Sequence, residues 1–132
     1  MKQHEQTRML LRKAAADESL LDRVLSEETV DDEIIGFHCQ QAVEKLLKAW
    51  LSSLGVNYPK THNLQTLIEL LEQQGKILPQ ELSEIDRLTP YATIFRYEDP
   101  PQQESFDRKN ARKLIREVRA FVEGQLRLRN PA

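Results

Sequence analysis

The stretch from Asp31 to Leu54, DDEIIGFHCQQAVEKLLKAWLSSL, constrains this chain more than any other. Ile35, Phe37, Ala42, Val43, Leu46, Leu47, Trp50, Leu51 and Leu54 recur at helical spacing. A helix of this length spans roughly 36 Å at 1.5 Å per residue. Its apolar stripe is broad enough to touch more than one neighbouring helix. Glu44, Lys45, Lys48 and Ser52 remain for the solvent side. Thr29, Asp31 and Asp32 are N-cap candidates, and Gly55 stands where a C-terminal cap belongs. The pattern predicts the central helix of a bundle.

The other segments supply its neighbours. Leu10, Leu11, Ala14, Leu21, Val24 and Leu25 mark a first helix over 4–26, joined to the second by a short acidic turn, so the two should run antiparallel. GVNYPKTHN, 55–63, is irregular; Tyr58-Pro59 is extended and Asn63 can cap a third helix that stops at Gly75. Pro79 opens a fourth helix carrying Leu82, Ile85 and Leu88. Thr89-Pro90 should break or kink it before Tyr91, Ile94 and Phe95. A fifth runs from about Gln103 to Leu128, with an apolar stripe that includes Phe106 and Phe121. No strand-like alternation and no repeat interrupts this series. The expected fold is all-α, an up-and-down four-helix bundle with an additional short helix, formed as one domain over 1–132.

Composition narrows the function classes. No segment approaches the roughly 18 apolar residues of a membrane span, and the first residues lack a signal-peptide core, so a cytoplasmic protein without membrane contact is expected. One cysteine, Cys39, precludes an internal disulfide or a multi-cysteine metal cluster. The net charge of −2 conceals a basic last helix: between Arg108 and Arg129 stand eight basic and two acidic residues. Such a helix can meet RNA, an anionic ligand, or the acidic remainder of its own chain. Arg112, Arg116 and Arg119 share one face of it and are candidates for RNA contact.

Templates for catalysis are missing: no Gly-rich phosphate loop, no His-Glu-x-x-His and no nucleophile elbow. No catalytic residue, metal ligand or cofactor is assigned. His38, Gln41 and Lys45 form a polar strip beside the apolar stripe, either binding a ligand or hydrogen-bonded at the core edge. Cys39 points about 100° from His38 on a helix, which argues against a Cys–His pair and for a small core residue. His62 either orders its loop or offers a donor to an anion. In YATIFRY, 91–97, Arg96 between Phe95 and Tyr97 can fork onto a phosphate or close a salt bridge. Tyr91 and Tyr97 belong to the same candidate site.

Taken together, FHCQQAVEKLLKA from Phe37 to Ala49, then Tyr58-Pro-x-Thr-His62-x-Leu, then Leu88-Thr-x-Tyr91 leading to Phe95-Arg96-Tyr97, resemble the HEPN domain family of nucleotide-associated helical bundles. The resemblance implies a homodimer, nucleotide or RNA binding, and a separate minimal nucleotidyltransferase chain as partner, in some relatives as a toxin–antitoxin pair. Some relatives are metal-independent ribonucleases using an Arg-polar-x(4–6)-His motif. No histidine follows Arg96 in this chain, so the resemblance favours a non-catalytic binding module. The alternatives are a ribonuclease with a displaced histidine or a purely interacting dimer.

Overall fold

The computed structural model describes residues 2–92 and 106–129. It contains α1 (Lys2–Val24), α2 (Asp32–Ser53), α3 (Leu64–Gln73), a 3₁₀ helix (Gln80–Ala92) and α4 (Arg108–Arg129). There are no strands among the described residues. The all-α bundle expected from the periodicity is what forms. None of its helices is long and apolar enough to cross a membrane.

Helix α2 is the hub, packing on α1, α3, the 3₁₀ helix and α4. Its residues Ile35, Cys39, Ala42, Val43, Leu46, Leu47, Trp50 and Leu51 are all buried. They meet Ala14 and Leu21 of α1, Leu64, Leu67 and Leu71 of α3, and Ile115, Val118 and Val122 of α4 in one core. Trp50 meets the edge of Phe121 at a ring separation of 5.5 Å. Each fully buried side chain of this size contributes about 1.5–3 kcal/mol, so the hub accounts for most of the driving force.

Local signals set the helix ends. At Gly55 (φ 73°) and Gly75 (φ 74°) the chain turns left-handed. At α2, Gly55 N–H donates to Ser52 O and Val56 N–H to Leu51 O. At α3, Gly75 N–H donates to Glu72 O and Lys76 N–H to Leu71 O. Both are Schellman closures, in which the left-handed residue carries no Cβ penalty. Asn63 caps α3 by accepting from Gln65 and Thr66 N–H, as the sequence suggested. Asp31 precedes α2 in extended conformation, but its side chain makes no capping bond. The α1–α2 turn is held by Arg108, whose guanidinium donates to Asp32 and to the carbonyls of Leu25, Glu27 and Val30.

Three expectations need correction. The fourth helix does not break at Thr89-Pro90; it continues through Pro90 as a 3₁₀ helix to Ala92. Leu82, Ile85, Leu88 and Tyr91 are three apart, so at three residues per turn they stack on one face, and the first three are buried. Packing thus favours the tighter winding over an α-helix, whose 3.6-residue turn would rotate this stripe off the core. Thr89 instead turns its hydroxyl to accept from Leu64 N–H at the start of α3. The last helix begins at Arg108, because Asp107 caps it by accepting from Asn110 N–H. Finally, Glu44 and Ser52 are buried, not on the solvent side.

The 3₁₀ helix approaches α2 closely at Gly36. A Cβ there would lie 2.5 Å from the Tyr91 ring, which also packs edge-on against Phe106 at 5.1 Å. Alanine would gain about 1 kcal/mol of helix propensity over glycine. Forcing the ring aside costs about 1–3 kcal/mol. Gly36→Ala should therefore lower the urea midpoint. Tyr91→Ala in the same background should reverse the sign of the Gly36→Ala effect.

Candidate functional site

The polar strip read from α2 divides into two clusters. In the first, Asp17 of α1 accepts from both partners on α2: its Oδ1 lies 3.0 Å from His38 Nδ1 and its Oδ2 2.6 Å from Lys45 Nζ. His38 and Lys45 are seven residues apart, two turns along one flank. Both keep about a quarter of their side-chain surface, whereas Asp17 is nearly buried. Phe37 meets the His38 ring edge-on at 5.3 Å.

In the second, Glu44 is only 5% exposed, and each oxygen has a basic partner. Oε1 is 2.9 Å from His62 Nδ1 and accepts from Gln40; Oε2 accepts from Lys48 at 2.8 Å. Gln40 Nε2 also donates to the His62 carbonyl, tying the loop to α2 by backbone as well as side chain. Gln41 donates to Gln40 Oε1 and so belongs to this cluster. The His62 ring is 60% exposed. Lys48 reaches over the Tyr58 ring, 5.6 Å from its centroid.

Both clusters pair one acid with one lysine and one histidine, and both hold the histidine by Nδ1, leaving Nε2 as the outer ring nitrogen. Glu44 and His38 are six positions apart, which places the clusters about 120° from each other around α2. No hydrogen bond joins them among the described residues. Tyr91 packs on Gly36, about 200° from His38, so one chain does not bring Tyr91 to that histidine. Arg96 and Tyr97 lie outside the described residues, as do Ile94 and Phe95.

The electrostatics follow from burial. For Glu44, desolvation opposes ionisation, but bonds from Lys48, Gln40 and His62 and the charge of Lys48 outweigh it and hold the carboxyl below its usual range. Burial pushes the Cys39 thiol up to about 12, which leaves it protonated and a poor nucleophile. Burial also raises Tyr91 above the ordinary phenol range, assisted by Asp32 and Cys39. No group of histidine, cysteine and acidic side chains among the described residues is arranged to hold a metal ion.

The arginine strip of α4 is largely engaged with α1. Arg112, 7% exposed, donates to Asp22 Oδ1 at 2.6 Å, Asp22 Oδ2 at 3.0 Å and Glu18 Oε1 at 3.2 Å. Arg119 donates to Glu18 Oε2 and to the Leu11 carbonyl. Arg116 is 60% exposed and reaches Asp22 only at 3.4 Å. The hydrogen bond and charge of Arg112 hold Asp22 below its usual range against the opposing effect of burial. The basic helix thus meets its own acidic body, one of the outcomes open in the sequence. The acids Asp17, Glu18, Asp22 and Glu44 were missed as site residues. Glu44 carried a usable signal, since Gln40 and Lys48 flank it at i−4 and i+4.

Two measurements probe these networks. Glu18→Ala should cost about 3 kcal/mol in urea unfolding, the lower end for breaking a buried pair because Arg112 keeps Asp22. Arg116→Ala should stay within about 0.5 kcal/mol. The depressed Glu44 carboxyl adds stability that is complete above its unfolded value near 4.5 and is lost as pH falls through the lower folded value. The stability gap between the native chain and Glu44→Gln should therefore be widest near neutrality and shrink on acidification below about pH 4.5.

Comparison with known proteins adds the family. The model of the HEPN domain matches residues 7–128, nearly the whole chain, and the chain belongs to that family. A search of curated proteins and of solved structures finds no match.

Proposed function

From its membership of the HEPN family we infer that this chain is a nucleotide- or RNA-binding accessory module that works as a homodimer beside a separate minimal nucleotidyltransferase, in the manner of a toxin–antitoxin pair. The observation that carries the binding reading is the pair of anchored histidines. His38 and His62 each give Nδ1 to a mostly buried acid and each lie beside a lysine on the same acid. This leaves imidazole Nε2 and the lysine ammonium groups on α2 and its following loop; the ammonium groups donate charge-assisted bonds to phosphate oxygens, and Nε2 donates only from a ring that carries both protons.

A second reading draws on the same geometry. A histidine oriented by a buried carboxylate and exposed at Nε2 is what a proton-transfer catalyst of RNA cleavage requires. His62 has that arrangement through Glu44. Ribonuclease activity would further need a cation beside the scissile phosphate.

Binding of a labelled RNA oligonucleotide and of ATP to the purified chain tests both readings. Lys45→Ala and His62→Ala should each weaken binding about tenfold, the loss of one charge-assisted bond. Arg112→Lys, inside the α1–α4 network, should leave it unchanged. Affinity that does not depend on Lys45, His38 or His62 would refute the proposed surface. Cleavage of the RNA in excess chelator, abolished in His62→Ala, would establish the ribonuclease reading instead.

A further inference from the structure

A cavity of about 340 Å³ lies between the first turns of α1 and the loop that follows α2. Of the residues described at the clusters above, Tyr58, which lies under Lys48, also lines it. Its walls are the carboxamides of Gln3, Gln6 and Asn57 and the hydroxyls of Ser52 and Tyr58, with Val56 as the apolar surface. No charged side chain is among the described residues that line it. The volume falls at the lower end of the range for small-molecule sites, about 300–1,000 Å³.

The hydrogen bonds within these walls hold the amides in place without exhausting them. Gln6 Nε2 donates to the Tyr58 hydroxyl at 2.8 Å, Gln3 Nε2 donates to the Ser53 carbonyl at 2.8 Å, and Ser52 Oγ donates to the Gln3 carbonyl. Each glutamine thus uses one amide hydrogen and keeps its Oε1 and second hydrogen. The Tyr58 hydroxyl accepts from Gln6 and keeps its own proton to donate. The left-handed turn at Gly55 brings the backbone against Gln3, whose Oε1 would lie 3.4 Å from a Cβ at that position. A larger residue there would crowd the wall as well as strain the turn.

Such a lining discriminates by charge. A phosphate entering it would lose hydration with no cation among the described lining residues to replace it. An uncharged planar ring bearing adjacent donors and acceptors matches the carboxamides, which pair side by side with the edge of a base. Tyr58 connects this cavity to the charged cluster: its hydroxyl lines the pocket, and its ring carries Lys48, the partner of Glu44.

We propose that the cavity formed by Gln3, Gln6, Asn57 and Tyr58 is a nucleobase site, which takes the neutral ring of a nucleoside or of an unstacked RNA base and rejects its phosphate. The inference rests on the nucleotide- and RNA-binding reading above and gives it a second contact region. Binding there is set by hydrogen bonds and not by charge, so it is insensitive to salt.

The test is titration of the full chain with adenosine, guanosine, cytidine and uridine, followed by side-chain amide NMR and calorimetry, with inorganic phosphate as a separate titrant. At least one nucleoside should shift the Gln3, Gln6 and Asn57 amide signals, with an affinity that changes less than about twofold between low salt and about 0.5 M salt. Gln6→Leu and Asn57→Leu, both at exposed positions, should each weaken it about tenfold, as loss of a paired amide predicts. Dinucleotides that bind as the nucleosides do would assign the site to RNA bases as well as free nucleosides. Nucleosides that shift no pocket amide, affinity unaltered in both variants, or phosphate that shifts the same signals would overturn the inference. If ATP or RNA then still binds through His38, Lys45 or His62, the broader reading stands alone; if neither binds, both fall.

Discussion

The bundle depends on two adjacent acids of α1. Asp17 and Glu18 are consecutive, so their side chains leave the helix about 100° apart and address different neighbours. Asp17 takes His38 and Lys45 of α2; Glu18 takes Arg112 and Arg119 of α4. One turn of α1 is thereby clamped to both long helices it packs beside. Buried charges of this kind add little net stability over an apolar packing of the same shape, but an unpaired one is expensive, about 3–5 kcal/mol. Their effect is on register: a shift of α1 by one residue would leave four bases without their acids.

The same principle organises the flank of α2 that carries the loop. Glu44 sits in the hub helix where an apolar residue would pack, and it draws the loop down onto α2 through His62, Gln40 and Lys48. The loop is thus held by a polar network on one side and by the Asn63 and Thr89 caps of α3 on the other. Those caps satisfy the first N–H groups of α3, so its N-terminus has no open donors at Leu64, Gln65 and Thr66 for an outside anion.

Apolar packing and polar anchoring are interleaved along α2. Its apolar stripe holds the core, and the polar positions between help build two histidine clusters whose Nδ1 atoms rest on carboxylates and whose rings keep part of their surface exposed. Holding Nδ1 on a carboxylate fixes the orientation of each ring. The family assignment says what class of ligand to look for, and the chemistry of these groups is suited to its phosphates.

Much of the fold was legible in the sequence because it rests on local rules. The α2 stripe, the antiparallel entry of α1, and the ends at Gly55, Asn63 and Gly75 follow from 3.6-residue spacing, a left-handed glycine and a short polar cap. The motifs from Phe37 to Ala49 and around Tyr58 to Leu64 likewise identified the family, since both are contiguous strings. The tertiary structure alone decided the rest. That Tyr91 needs Gly36 bare, that Thr89 caps α3, and that the 82–91 stripe winds as a 3₁₀ helix depend on contacts between segments distant in the chain. The partners of His38, His62 and Arg112 were hidden for the same reason: Asp17, Glu44 and Glu18 lie 21, 18 and 94 residues away. A charge on an amphipathic helix reads as solvent-facing from its period, and only the packing of a second element over it turns that charge into a buried anchor.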